Sequence, residues 1–231
     1  MKIVCKDIKK RFGKKQVLNG VDLIVNTNEI VGLLGPNGSG KTTLFNIILG
    51  VVIPSSGKVF LNEKDITKVP IHKRARLGIT YLQQETSVFR QLTVEKNLKL
   101  VIEHYDKDFG KIDTLLKNFG LLDLKNQMAF SLSGGEKRRL ELARMMTLSP
   151  KFLLLDEPFV GIDPKTVKEI QKMVLELKKM GLGIIITDHS VDALKDIVDR
   201  LYVIHKGGII ASGEPSVVLN DEIVKKVYLG G

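Results

Sequence analysis

The residues with the most chemical content form one run, Gly35-Pro36-Asn37-Gly38-Ser39-Gly40-Lys41-Thr42. Glycines at this spacing let the backbone wrap closely, so several N–H groups converge on one anion. Lys41 can reach β- and γ-phosphates, and the Thr42 hydroxyl, followed by Thr43, can face Mg²⁺. The chemistry implied is the binding of a nucleoside triphosphate. Two further groups extend it. Asp156 and Glu157 directly follow the apolar run 152–155. A carboxylate at the end of a strand, beside a phosphate loop, can hold Mg²⁺ or its water. Its neighbour can orient and deprotonate an attacking water. Asp156 is thus the candidate metal residue and Glu157 the candidate base. Leu132-Ser133-Gly134-Gly135-Glu136 precedes a helical pattern. It offers a second nest of backbone amides at a helix start, hence a second phosphate site.

These residues need elements to position them. Ile30-Val31-Gly32-Leu33-Leu34 reads as a short apolar strand leading into the glycine-rich turn. Leu44, Ile47 and Ile48 then share one face of a helix. Residues 152–155 and 184–187 are apolar runs without polar alternation, as in a buried parallel sheet. Val17, Val21, Leu23 and Val25 suggest extended structure, and the first sixty-odd residues read as short strands. Residues 58–61 and 78–82 are further strands, and 200–204 with 209–212 form a final hairpin. Between them the pattern turns helical. Leu98, Val101 and Ile102 share one face, and Ile112, Leu115, Leu116 and Phe119 another. A helix over 134–148 is closed by Pro150. Pro164 opens one more helix, with Val167, Ile170, Val174 and Leu177 inward. The expected architecture is one α/β unit over 1–231. Its nucleotide-binding core spans 1–85 and 151–231, with an N-terminal antiparallel β part, and a helical insert spans 86–150.

With 231 residues, 43% of them hydrophobic, the chain can bury a sizeable core. The one cysteine, Cys5, excludes an intramolecular disulfide and fits a reducing compartment. Charges break the N-terminal stretch, so no signal peptide is expected. No apolar run approaches the roughly 18 residues of a membrane-spanning helix. The net charge of +10 gathers at Lys9-Lys10-Arg11, at Lys73-Arg74 with Arg76, and at Lys137-Arg138-Arg139. These read as solvated surface or as a face toward an anionic membrane. The absence of Trp and an aromatic content of 6% argue against stacking on single-stranded nucleic acid.

The order of phosphate loop, glutamine, Leu-Ser-Gly-Gly-Glu, Asp-Glu and histidine resembles the ATP-binding-cassette (ABC) ATPases, over essentially the whole chain. The resemblance implies a P-loop NTPase fold with a mainly parallel sheet, and ATP with Mg²⁺ as ligands. It implies roles for particular residues. Gly35 to Thr43 cradle the phosphates. Phe12 stacks on adenine in place of the more usual tyrosine. Gln84, in Gln83-Gln84 where Pro-Gln is more usual, contacts the metal and links core to insert. Asp156 binds the metal and Glu157 is the catalytic glutamate. Residues 132–136 are the signature, Asp163 sits in a loop crossing a dimer interface, and His189 is the switch histidine near the γ-phosphate. In this family the signature of one chain completes the phosphate site of another, which implies a head-to-tail homodimer. Within the family, the stretches 82–94, 157–164, 184–189 and the tail Val224 to Gly230 look like the ATPases of lipopolysaccharide export. Those ATPases work at the cytoplasmic face of the inner membrane and never touch the cargo. There Phe89 and Arg90 would line the groove that receives the coupling helix of a membrane permease. The ATPases of branched-chain amino-acid importers share the layout, and a regulatory, non-transport ATPase is the other alternative.

Overall fold

The computed structural model describes residues 1–105 and 107–229; Gly230, the last residue of the tail stretch, lies outside the described residues. The strands β1 (Lys2–Phe12), β2 (Lys15–Asn26) and β3 (Ile30–Leu34) come first, then helix α1 (Lys41–Leu49). Strands β4 (Ser56–Leu61) and β5 (Lys64–Asp65), helix α2 (Ile71–Arg76) and strand β6 (Ile79–Leu82) follow. Helices α3 (Val94–Tyr105), α4 (Ile112–Asn118) and α5 (Gly134–Met146) fill the next segment, all within 86–150. Strand β7 (Phe152–Asp156), helix α6 (Pro164–Lys179), strand β8 (Gly183–Asp188) and helix α7 (Val191–Leu194) restore the α/β pattern. Strands β9 (Arg200–His205) and β10 (Gly208–Gly213) and helix α8 (Pro215–Asn220) close it.

Among the described residues these strands form two sheets. One has the order β10-β9-β3-β8-β7-β6, the other β2-β1-β4-β5. In the first, β9, β3, β8, β7 and β6 run parallel and only β10 is antiparallel. Every residue of β3, β7 and β8 is buried, because helices and the second sheet cover both faces. The second sheet is antiparallel. Its first two strands are longer than the short strands expected. Register shifts in β1 at Cys5/Ile8, Ile8/Lys9 and Lys10/Arg11 break the alternation that would have revealed their length.

Two cores lie on opposite faces of the parallel sheet. One joins Ile3, Leu23 and Val25 of the antiparallel sheet to Val31, Leu33 and Leu154 through α1. Leu44, Phe45, Ile47 and Ile48 of α1 are fully buried there, each stabilising the fold by about 1.5–3 kcal/mol. The other core joins Leu34, Leu155 and Ile186 to α3, α4, α5 and α6. Arg74 ties α2 to the end of α1. It is 1% exposed, and its guanidinium donates to the carbonyls of Ile47, Ile48, Ile66, Thr67 and Val69. Arg74 is therefore not the surface cation that its basic neighbours suggest. Burial pulls its pKa down to about 10.

Register places the site. Leu34 pairs with Asp188, Asp156 with Thr187, and Leu82 with Leu155. The C-terminal ends of β6, β7, β8 and β3 therefore lie side by side. Open parallel sheets bind ligands along that edge.

Candidate active site

Each strand of that edge delivers one group. The loop from Gly35 leaves β3 and runs into α1. Gly38 (φ 76°) and Gly40 (φ 111°) take conformations that L side chains rarely adopt. A Cβ on Gly35 would lie 2.4 Å from the Ile204 carbonyl, so the loop presses against β9. Gly40 caps α1 without any side-chain hydrogen bond. The first N–H groups of the helix thus lack side-chain partners, which suits a bound anion. Ser39 Oγ is buried and has no hydrogen-bond partner. Lys41 is also buried, and its Nζ donates to the carbonyls of Gly35 and Pro36. Burial holds the Lys41 pKa below the usual lysine range, while Glu157, Asp156 and Asp188 pull it back up. A phosphate-sized group entering the loop meets a cation held among three carboxylates.

The carboxylate turn follows β7. The hydroxyl of Thr187 donates to Asp156 Oδ1, and Tyr81 donates to Oδ2 at 3.0 Å. Burial, then the nearby Asp156 charge, pushes the Tyr81 pKa up, so the phenol stays a donor. Glu157 has φ 44°, a left-handed conformation that costs a bulky residue about 1–3 kcal/mol. Its N–H donates to the Thr187 carbonyl at 3.0 Å and to the Thr187 hydroxyl at 3.2 Å. The bent backbone lets two successive carboxylates serve one edge: Asp156 stays in the sheet and Glu157 turns out to the cleft. Gln84 Nε2 donates to Glu157 Oε2 at 2.9 Å. His189 Nδ1 lies 3.8 Å from Glu157 Oε2 and 3.8 Å from Asp188 Oδ1. Burial raises the Asp188 pKa.

One cleft of about 1390 Å³ is lined by Pro36 to Thr43, Gln84, Glu157 and His189, together with Phe12; Gly35 and Asp156 do not line it. Gln84 rather than Gln83 reaches it; Gln83 instead offers its carbonyl to Arg138 at 3.0 Å. Phe12 is 49% exposed, with Lys10 Nζ 4.8 Å above its ring. Val227 of the C-terminal segment lines the same cleft, a position that its apolar type alone does not indicate. Leu132, Ser133, Gly134, Gly135, Glu136 and Asp163 do not line it. Ser133 instead caps α5 in a capping box: its Oγ accepts from Glu136 N–H at 3.3 Å, and Glu136 Oε2 accepts from Ser133 N–H at 2.8 Å. Asp163 caps α6 through the N–H groups of Lys165 and Thr166. Both helix starts are exposed.

Among the described residues, no group of three or more His, Cys, Asp and Glu is placed to hold a metal. The cleft edge still fits Mg²⁺. The Asp156 carboxylate at the end of β7 is aligned by two donors, Thr187 and Tyr81, and the cleft lining carries Thr42 and Gln84. Mg²⁺ is commonly held by one or two carboxylates, with phosphates and water completing the shell.

The sequence does not reveal what supports this edge. Arg138 sits in an apparent basic surface cluster, yet it is only 5% exposed. It donates to the carbonyls of Pro158 and Gln83 and reaches those of Asp156 and Glu157. It also pairs with Glu141 at 3.1 Å. The other Glu141 oxygen accepts from the N–H and hydroxyl of Ser87. Arg144 donates to the Ser87 carbonyl at 2.7 Å and lies 5.0 Å over the Phe89 ring. Asn97, wholly buried, receives the Phe89 N–H and donates to the Phe89 carbonyl. Phe89 is 44% exposed and Arg90 is exposed beside it. A continuous polar chain thus runs from the carboxylate turn to the Phe89 loop. An Arg-x-x-Glu spacing on one helix face was its only sequence signal.

Comparison with known proteins agrees with this geometry. A profile described as ABC transporter matches residues 18–160. The chain is 46% identical to the lipopolysaccharide export system ATP-binding protein LptB of Haemophilus influenzae, over 99% of this chain and 97% of the relative. It is 43% identical to the protein of that name from Escherichia coli, again over 99% and 97%. A solved ATP-binding cassette of an ABC transporter in its ADP conformation superposes with a TM-score of 0.93 at 32% identity, covering 100% of both chains. The matched region runs from β2 through the phosphate loop to the carboxylate turn, and so includes most of the cleft edge: this chain belongs to the ABC transporter family.

Proposed function

We propose that this chain is the ATP-hydrolysing subunit of a transporter that exports lipopolysaccharide from the inner membrane. The relatives named for that system, at 43–46% identity over nearly their whole length, support this reading; neither is named for amino-acid import. The observation that carries the chemistry is the convergence of Gln84, Glu157 and His189 on one cleft with the phosphate loop. The loop N–H groups and Lys41 hold the β- and γ-phosphates, and Phe12 packs on the adenine. Thr42, Gln84 and Asp156 would hold Mg²⁺, which when bound neutralises charge on the phosphate oxygens.

Glu157 Oε2, aligned by Gln84, accepts a proton from water as its oxygen attacks the γ-phosphorus. The bond from that phosphorus to the leaving ADP oxygen breaks in line. His189 lies close enough to Glu157 to fix the γ-phosphate and the water in one geometry. Catalysis is then positioning plus charge stabilisation. Residues 132–136 and Asp163 do not line their own cleft. They would complete the partner subunit's site in a head-to-tail homodimer. In this reading 1–85 with 151–231 act as the nucleotide core and 86–150 as a lobe that transmits closure. Phe89 and Arg90 would receive the coupling helices of membrane permease subunits at the cytoplasmic face. Among the described residues no helix is long and apolar enough to cross a membrane, so the permeases would have to supply the membrane path.

The test is purification of the tagged chain from membranes. An integral partner should co-purify, and with it lipopolysaccharide should leave proteoliposomes only when ATP is hydrolysed. Recovery with an amino-acid permease instead would reject the cargo while leaving the ATPase reading intact.

A further inference from the structure

Two adjacent glycines open α5, and their surroundings differ. A Cβ added to Gly134 meets nothing within 4 Å. A Cβ added to Gly135 would lie 2.3 Å from Thr166 Cγ2, with Thr166 Oγ1 at 3.3 Å and its Cβ at 3.4 Å. Both glycines are helical and neither has positive φ, so the backbone asks for glycine at neither position. The demand at Gly135 comes from the first turn of α6. Thr166 is half-buried. Its N–H is bonded to the capping carboxylate of Asp163 at 3.0 Å, and its β-branched side chain has few rotamers in a helix. One turn further along α5, Arg139 pairs with Glu169 of α6 at 2.9 Å. The start of α5 and the start of α6 are therefore interlocked at two successive turns.

We propose that Thr166 is a positioning residue that locks the signature segment to the Asp163 loop within one chain, and that position 135 is glycine because it must admit the Thr166 methyl. The proposal rests on the shared-site reading, in which both segments face the partner subunit's nucleotide. The lock makes them one rigid block, so contact with that nucleotide orders both together. Gly134 has no such partner in its own chain and is left open for whatever approaches from outside.

The experiment uses the full chain as Gly135→Ala, Thr166→Ser and the double variant, with Gly134→Ala as control. Serine lacks the Cγ2 methyl and keeps the hydroxyl. Overpacking at Gly135→Ala should lower saturating ATP turnover by about 10- to 100-fold, with ATP affinity of the isolated subunit unchanged because the phosphate loop is untouched. Adding Thr166→Ser should bring turnover back to within about threefold of the Thr166→Ser chain. Gly134→Ala should not be rescued by Thr166→Ser. A double variant that folds and binds ATP yet stays as slow as Gly135→Ala would overturn the lock. So would full turnover in Gly135→Ala. ATP-dependent dimerisation of the Glu157→Gln chain judges the shared-site reading separately: its failure alongside a successful rescue rejects that reading and keeps the lock.

Discussion

At the scale of single residues, Glu157 joins a strained backbone to a carboxylate that lines the cleft. Its left-handed backbone is held by two hydrogen bonds to Thr187, so the turn stores strain where a carboxylate must leave the sheet. Two substitutions separate the two properties. Glu157→Gln keeps the strain and removes the base. It should bind ATP while hydrolysis falls by about 10²- to 10⁴-fold, and retained turnover would reject the base assignment. Glu157→Gly removes both, and urea unfolding should show it about 1 kcal/mol more stable than Glu157→Gln. Cys5 is the opposite kind of residue, buried and inert. Burial pushes its pKa up to about 12 from 9.0. The folded chain therefore holds the thiol proton more tightly than the unfolded chain does. The stability this contributes is complete below about pH 9 and is lost as pH rises through 12. The stability difference between wild type and Cys5→Ala should shift against wild type across that window. Native Cys5 should also resist alkylation at pH 8 until the chain is unfolded.

At the scale of elements, the apolar framework was readable and the polar framework was not. Strands β3, β7 and β8 announce themselves because every side chain is buried, and a short apolar run without polar alternation suits a strand covered on both faces. Helix α2 left no such trace, since its one buried side chain is a cation, Arg74. Helix α5 was readable from Leu140 and Ala143, but its buried Arg138 and Glu141 look in sequence like a solvated pair. Burial there is tolerable only because Glu141 takes Ser87 on its second oxygen and Arg138 takes four carbonyls. Removing one charge strands the other. Arg138→Met should cost about 3–5 kcal/mol, and Arg138→Met with Glu141→Leu should recover much of it. A denaturation cycle over the four proteins measures the coupling. Additive losses would mean that the pair is not a unit. Because the same arginine holds the carbonyls behind Asp156 and Glu157, the double variant should regain stability without regaining full turnover.

At the scale of the whole molecule, the residues proposed to act on one nucleotide lie in two places on the chain. The phosphate loop, Gln84, Glu157 and His189 share one cleft, while Ser133 caps, and Gly135 lies in the first turn of, a helix that does not line it. Sequence order alone gives no reason for that separation; it follows from β7 carrying the chain back to the sheet after α5, while α5 starts on the lobe. Ser133 Oγ accepts from Glu136, so its own proton remains available to donate to an oxygen arriving from outside. A second copy in head-to-tail register would supply one. The Glu157→Gln chain should sediment as a monomer alone and as a dimer with ATP and Mg²⁺, and Ser133→Arg in that background should stay monomeric. Mixing gives the decisive arm. A Lys41→Ala chain keeps its signature but loses its phosphate grip, and a Ser133→Arg chain does the reverse. If the site is shared, their mixture contains one intact composite site per heterodimer and should dimerise with ATP where neither chain does alone. If each chain closes its own cleft, both defects stay confined to their own molecules and mixing restores nothing.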